Sequence, residues 1–375
     1  MQVELLSWSQ KNGWDKKSAL TNAGLVIYFA GKAIAEADKQ RQQLQGFYPQ
    51  AHVLGCSTGG EICGPEVMDG SMVAAAVHLS KTPIRTASTY VTNAAESLSA
   101  GQKLATALHA PDLRYIFLLS DGVNVNGSDL VRGIYDVVDE QVIVTGGLAG
   151  DGADFKHTLV SLDGAPKEKL IAAVGFYGDA IQIGYGSVGG WNPFGPERQI
   201  TKSRGNILYE LDGRPALDLY KEYLGEDAAN LPGSALFFPL SIKPAQQSEH
   251  NMVRTALGID EKEKTMTFAG DVPEGYTAQL MRGDFNNLVD GAIQAAALAS
   301  STLPNNALAL LVSCIGRKLL LGQSISDETE AVADVFEYKI PTIGFYSYGE
   351  ICHQQFTGKC SLHNQTMTVT VLHEK

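Results

Sequence analysis

Short, continuous apolar runs alternate along this chain with segments of helical composition. "AGLVIYFAG" (23–31), "LRYIFLLSDG" (113–122) and "NALALLVSC" (306–314) each hold a near-continuous apolar run. Such runs suit strands covered on both faces. Each is followed by a polar, helix-forming stretch: "KAIAEADKQRQQLQGF", "NGSDLVRGIYDVVDE" and "SISDETEAVADVFE", the last opening on a Ser/Asp cap. Each helix leads into another strand, in "QAHVLGC", "QVIVTGGLAGD" and "KIPTIGFYS". Further strands follow in "SMVAAAVHLS", "HTLVSLDG", "KLIAAVGFYG" and "NQTMTVTVL". This order predicts an α/β (mixed α+β) architecture, in which repeated β-α-β-β modules form two related halves with mixed sheets.

The loop after the second strand of each module repeats most closely. It reads "GCSTGGE" at 55–61, "TGGLAGD" at 145–151 and "GFYSYGE" at 344–350, and Gly-Glu-Ile-Cys occurs at both 60–63 and 349–352. Two such tetrapeptides in equivalent places indicate duplication. The three loops are expected to converge. Glu61, Asp151 and Glu350 then form either a polar cluster for a small ligand or a set of carboxylates that cap their own turns. Gly147 and the other loop glycines permit close backbone approach.

Two motif matches fail on context. Gly55-Cys56-Ser57-Thr58-Gly59 fits the serine-hydrolase elbow, but Gly60, Gly64 and Pro65 oppose the helix that an elbow requires. A hydrolase using Ser57 with Asp151 and His353 stays as an alternative. Gly184, Gly186 and Gly189 fit a dinucleotide fingerprint, but Trp191, Asn192 and Pro193 follow in place of a helix.

Composition narrows the classes. The 375 residues carry a formal charge of −12 and are 44% hydrophobic. That argues for a globular protein and against a nucleic-acid surface. No apolar run reaches the ~20 residues of a membrane span. Five cysteines without C-x-x-C, and no signal-peptide pattern, suit reduced thiols in the cytoplasm. The eight histidines show no H-x-x-x-H spacing.

Together "GCSTGGEI", "GGLAGD", "GYGSVGGW", "ELDGRPALDLYKEYLG", "SCIGRKLLLG", "GFYSYGEI" and "HNQTMT", in that order, resemble the FIST family of bacterial sensory domains. The resemblance implies an N-terminal half over 20–185, a Gly/Pro-rich passage over 186–215 and a C-terminal half over 216–375. It implies a small-ligand sensor without activity of its own, coupled to a separate histidine kinase or cyclic-di-GMP enzyme. The ligand is an amino acid or similar polar metabolite or, as in the stand-alone subset that this chain matches in length, non-covalent haem b sensing nitric oxide. Cys56, Ser57, Glu61, Gly147, Asp151, Trp191, Arg317, Tyr348 and Glu350 are the candidate ligand contacts. His353 and His363 are the candidate haem ligands. After the last Gly-Glu-Ile the family is expected to have a small residue and proline, where this chain has Cys352-His353.

Overall fold

The computed structural model describes residues 1–375 except 17, 246–250, 301–303, 305 and 354–357. Its main body is three six-stranded sheets built on one plan. In each, a central strand pairs in parallel with the strand after its helix and antiparallel with a returning strand. The central strands are Leu25–Gly31, Leu113–Ser120 and Leu308–Cys314. Their parallel partners are His52–Thr58, Ile143–Leu148 and Thr342–Ser347. The returning strands are Met72–His78, Leu170–Tyr177 and Met367–Glu374. Each returning strand carries an outer neighbour: Gln2–Ser9, Ile84–Tyr90 or Ile181–Val188.

The fifth position of each sheet is filled by a strand from another module. Glu61–Cys63 of the first module pairs with Thr342–Ser347 of the third. Val160–Leu162 of the second pairs with His52–Thr58 of the first. Gly349–His353 of the third pairs with Ile143–Leu148 of the second. The exchange closes a three-membered ring.

The apolar runs follow from this ring. Alternate residues of each central strand point to opposite faces. One set (Ile27, Phe29; Phe117, Leu119; Leu310, Val312) meets in a core shared by all three sheets, where Phe29 stacks on Phe345 at 4.6 Å. The other set lies under the outer helices. Val26 and Tyr28 pack beneath the helices Lys32–Ala37 and Lys39–Phe47, and Ile116 and Leu118 pack beneath Ser97–Leu108 and Gly127–Tyr135. Both faces are therefore mainly apolar, and the buried hydroxyl of Ser313 at one strand end is hydrogen-bonded.

Two helices differ from the sequence reading. The segment 32–47 is broken at Asp38, whose backbone is left-handed (φ 55°) and whose carboxylate holds Arg41 and Gln42. The helix Ser326–Val335 has no side-chain cap; a short 3₁₀ turn, Gly322–Ser324, leads into it.

Within the third module, between Ile181–Val188 and the helix Phe285–Ala299, a second body is inserted. Its nine-stranded sheet runs from Trp191–Pro193 to Tyr276–Gly283, and the helix Ala216–Leu224 covers it. It has its own core, including Leu208, Leu217, Tyr220, Leu240 and Phe268.

Candidate functional site

The three repeated loops meet where the sheets exchange strands. Gly59 N–H donates to the Tyr346 carbonyl (2.7 Å), Gly150 N–H to Ser57 (3.0 Å) and Tyr348 N–H to Leu148 (3.1 Å), so each loop holds the next. A side chain on Gly150 would lie 2.9 Å from the Gly59 nitrogen. Glycine is needed here because three backbones cross at contact distance.

Glu61 and Glu350 turn inward and cap their own loops. Glu61 takes the hydroxyls of Thr58 and Ser71 and the Ser71 N–H (2.9 Å). Glu350 takes Ser347 Oγ (2.6 Å), Thr366 Oγ1 (3.0 Å) and Thr366 N–H (3.1 Å). Each thereby ties its loop to the start of the returning strand. Burial raises both carboxyls above the ordinary range, Glu350 to about 8, against the lowering effect of these hydrogen bonds.

Asp151 is placed differently. It accepts the Tyr348 hydroxyl and the N–H groups of Lys156 (3.1 Å) and His157 (2.9 Å), with Lys32 Nζ at 3.5 Å. Burial raises its pKa, but these donors more than offset that and hold it below its usual value. Asp151 and Tyr348 are thus brought together. Phe155 stacks on Tyr348 at 4.4 Å with a left-handed backbone (φ 54°), which a bulky residue seldom adopts.

The other candidates are dispersed. Arg317 pairs with Glu328 (2.8 Å), not Glu350, and donates to the carbonyls of Leu288 (2.7 Å) and Gly189; all of it is buried. Glu328 also accepts from Tyr346 (2.7 Å) and Ser313 (3.1 Å). The sequence reading missed Glu328, whose helical "SDETEAV" context looks like an exposed face. Trp191 is an anchor: its indole N–H donates to Gln365 O (2.8 Å), and it packs with Met281, Leu288 and Leu321. Gly147 lies opposite Glu350 in the sheet, and Cys56 is in the shared core.

Ser57 does not form a hydrolase triad. Its Oγ is buried and accepts the Leu159 N–H (2.8 Å), while His353 lies in another strand on unrelated partners. No helix follows Thr58; the chain turns into Glu61–Cys63.

The two histidines do not fit axial haem ligation as placed. His353 Nδ1 is 2.8 Å from the Gly358 carbonyl, while Nε2 accepts the Val144 N–H (3.2 Å) and lies 2.8 Å from the Tyr135 hydroxyl. Both nitrogens are committed, and burial depresses the ring's pKa. His363 Nε2 faces the Cys352 carbonyl (3.0 Å), and burial pushes its pKa to about 4. Neither ring lines the three large cavities of the described structure.

Of these, an open groove of about 690 Å³ lies along Val3–Leu5, Gly64, Pro65 and Tyr338–Thr342. A cleft of about 630 Å³ separates the ring from the inserted body. Ala153, Phe155 and Leu319 form its ring side, and Asn230, Ser234, Phe237 and Leu257 form its other wall. A smaller cavity of about 310 Å³ opens between the helix Gly127–Tyr135, the strand Cys360–His363 and the inserted body.

Family comparison gives this architecture a context. The profile described as FIST N domain matches residues 24–214, and that described as FIST C domain matches residues 216–353. This chain belongs to the FIST family. FIST domains are sensory domains of signalling proteins and bind small ligands. A relative from Methanocaldococcus jannaschii, MJ1623, described as uncharacterized, is 26% identical over 90% of this chain and 72% of its own length. Among solved structures, a cyanuric acid hydrolase from A. caulinodans aligns over 100% of this FIST chain and 99% of its own, with 8% identity and a TM-score of 0.37. PurLQS from Thermotoga maritima aligns over 96% and 68%, with 8% identity and a TM-score of 0.17. Likenesses this low transfer neither reaction nor ligand.

Proposed function

We propose that this FIST protein is a cytoplasmic small-ligand sensor, not an enzyme, and that its ligand enters the cleft between the ring and the inserted body. The observation that carries the reading is Phe155. A left-handed aromatic residue, held by its N–H on the Tyr348 hydroxyl (3.2 Å), forms the ring wall of that cleft. Strain of this kind persists where the surroundings over-determine it, and clusters at ligand sites. Junctions between separately cored bodies are favoured places for ligands. Asp151, Tyr348 and Lys32 lie directly behind Phe155, so a shift of Phe155 is transmitted to the loop ring. A ligand that ties the two bodies together then changes the surface offered to a separate histidine kinase or cyclic-di-GMP enzyme.

Leu319→Trp tests the site. Leu319 is 37% exposed and lines the cleft, so tryptophan fills it without touching a core. A metabolite set including amino acids is screened by thermal shift. Any ligand that stabilises the native protein is expected to lose at least tenfold in affinity in Leu319→Trp, and unchanged affinity refutes the cleft. Haem is the competing ligand, favoured by resemblance to the stand-alone subset and opposed by the committed ring nitrogens of His353. Haem titration is expected to give the spectrum of free haem. A sharp Soret band that shifts with nitric oxide and is lost in His353→Ala would reverse the ranking.

A further inference from the structure

The smaller cavity contains a buried cation that no carboxylate among the described residues pairs with. Arg254 is 3% exposed and lines it. Its Nε donates to the Asp271 carbonyl (2.9 Å), and Nη1 donates to the carbonyls of Val253 (3.2 Å) and Leu362 (3.0 Å). Among the described residues Nη2 has only the Met252 sulfur, at 3.6 Å. Among the described residues no carboxylate forms an ion pair with this guanidinium. Buried arginine charge normally has such a partner, because its desolvation is costly. The deficit is visible in its pKa, which burial lowers to about 10 although Asp271 and Tyr276 act the other way. Arg317, the other fully buried arginine described above, has Glu328.

The rest of the cavity sets the chemistry of what could complete it. Val131, Met252, Pro273 and Leu362 supply apolar walls. The Ser128 hydroxyl is buried without a hydrogen-bond partner. The other charged residues lining the cavity, Asp271 and Glu140 against Arg132 and Lys359, balance in sign, and Asp271 Oδ1 is taken by the Asn126 amide (3.0 Å), so a single negative charge is what Arg254 calls for. We propose that this cavity is a binding site for a small monocarboxylate with an apolar body, its carboxylate on Arg254. The site is separate from the cleft at Phe155 and Leu319, and it stands whether or not that cleft binds a ligand. An occupant would join three elements: the helix Gly127–Tyr135, the strand Cys360–His363 and the inserted body.

The probe is 4-methylpentanoate, compared by thermal shift and calorimetry with its neutral and cationic counterparts, 4-methylpentanol and 4-methylpentylamine. The acid is expected to stabilise the full chain, with the alcohol at least tenfold weaker and the amine without effect. Equal responses to acid and alcohol, or none to the acid, overturn the proposal. Arg254→Met is expected to abolish the acid response. Since Arg254 also braces three carbonyls, Val131→Phe provides a second variant that fills the cavity and leaves Arg254 in place. Loss of the response in Val131→Phe, with its retention in Leu319→Trp, is the expected pair. Retention in Val131→Phe places the ligand elsewhere and refutes the site.

Discussion

Glu350 shows how a residue can match a functional pattern and serve the fold. The sequence places it correctly in a repeated Gly-Glu turn, and its partners Ser347 and Thr366 show it capping that turn. Its buried carboxyl has a pKa of about 8, against 4.5 for the ordinary group. Between those values the native state retains a proton that the unfolded chain has lost. Stability from this group is therefore complete below about pH 4.5 and declines as pH rises to about 8, with a limiting slope of about 1.4 kcal/mol per pH unit. Glu350→Gln lacks that slope. In urea unfolding at pH 5, 6.5 and 8, the stability of the glutamine variant relative to the native chain is expected to improve steadily with pH. A difference that stays constant would show that the carboxyl ionises as it does in water. Arg317 carries a similar lesson: its burial was not readable from "SCIGR", and its partner Glu328 sits on a helix whose composition looks exposed.

At the scale of elements, the strand Ile143–Leu148 shows why glycine repeats in these loops. Gly146 has φ of 148°, and a Cβ there would lie 1.8 Å from the Leu118 carbonyl oxygen of the neighbouring strand. Gly152 also has positive φ (77°), but nothing lies within 4 Å of its Cβ position. Gly152→Ala is expected to cost about 1 kcal/mol, the conformational term alone. Gly146→Ala has the steric clash in addition and is expected to cost more than about 3 kcal/mol, or to prevent folding. Equal denaturation midpoints for the two variants would contradict the packing described for this strand pair. The elements themselves were largely legible: both-face-buried strands show as apolar runs, and Gly127–Tyr135 was marked by composition. The break at Asp38 was not, because a left-handed aspartate stabilised by Arg41 leaves no pattern in hydrophobicity.

The whole molecule is a ring closed by exchange of strands, with one body inserted into it. The last strand, Met367–Glu374, lies between Ile181–Val188 and Leu308–Cys314, with both edges hydrogen-bonded. Removing residues 367–375 strips a central strand from one sheet and opens the shared core. The truncated chain is expected to be insoluble or to lack cooperative unfolding, although the inserted body's own core remains intact. A truncated chain that melts cooperatively near the native midpoint would show that the ring does not depend on closure.

The sequence by itself determined the modules, their strand-helix-strand order, the mixed sheets and the three equivalent loops, because local periodicity and turn chemistry write these into neighbouring residues. It also carried the family resemblance. It did not determine that each module lends a strand to the next, since pairs such as Glu61 with Phe345 are set by burial of the completed ring and leave no local signal. For the same reason only the tertiary structure separated Asp151 and Tyr348, which adjoin a cleft, from Glu61, Glu350 and Arg317, which are satisfied inside the fold. It alone brought Arg254 against the helix Gly127–Tyr135 and the strand Cys360–His363, where no carboxylate among the described residues pairs with its guanidinium. Whether a buried charge is matched depends on which distant backbones surround it, and that is decided by packing.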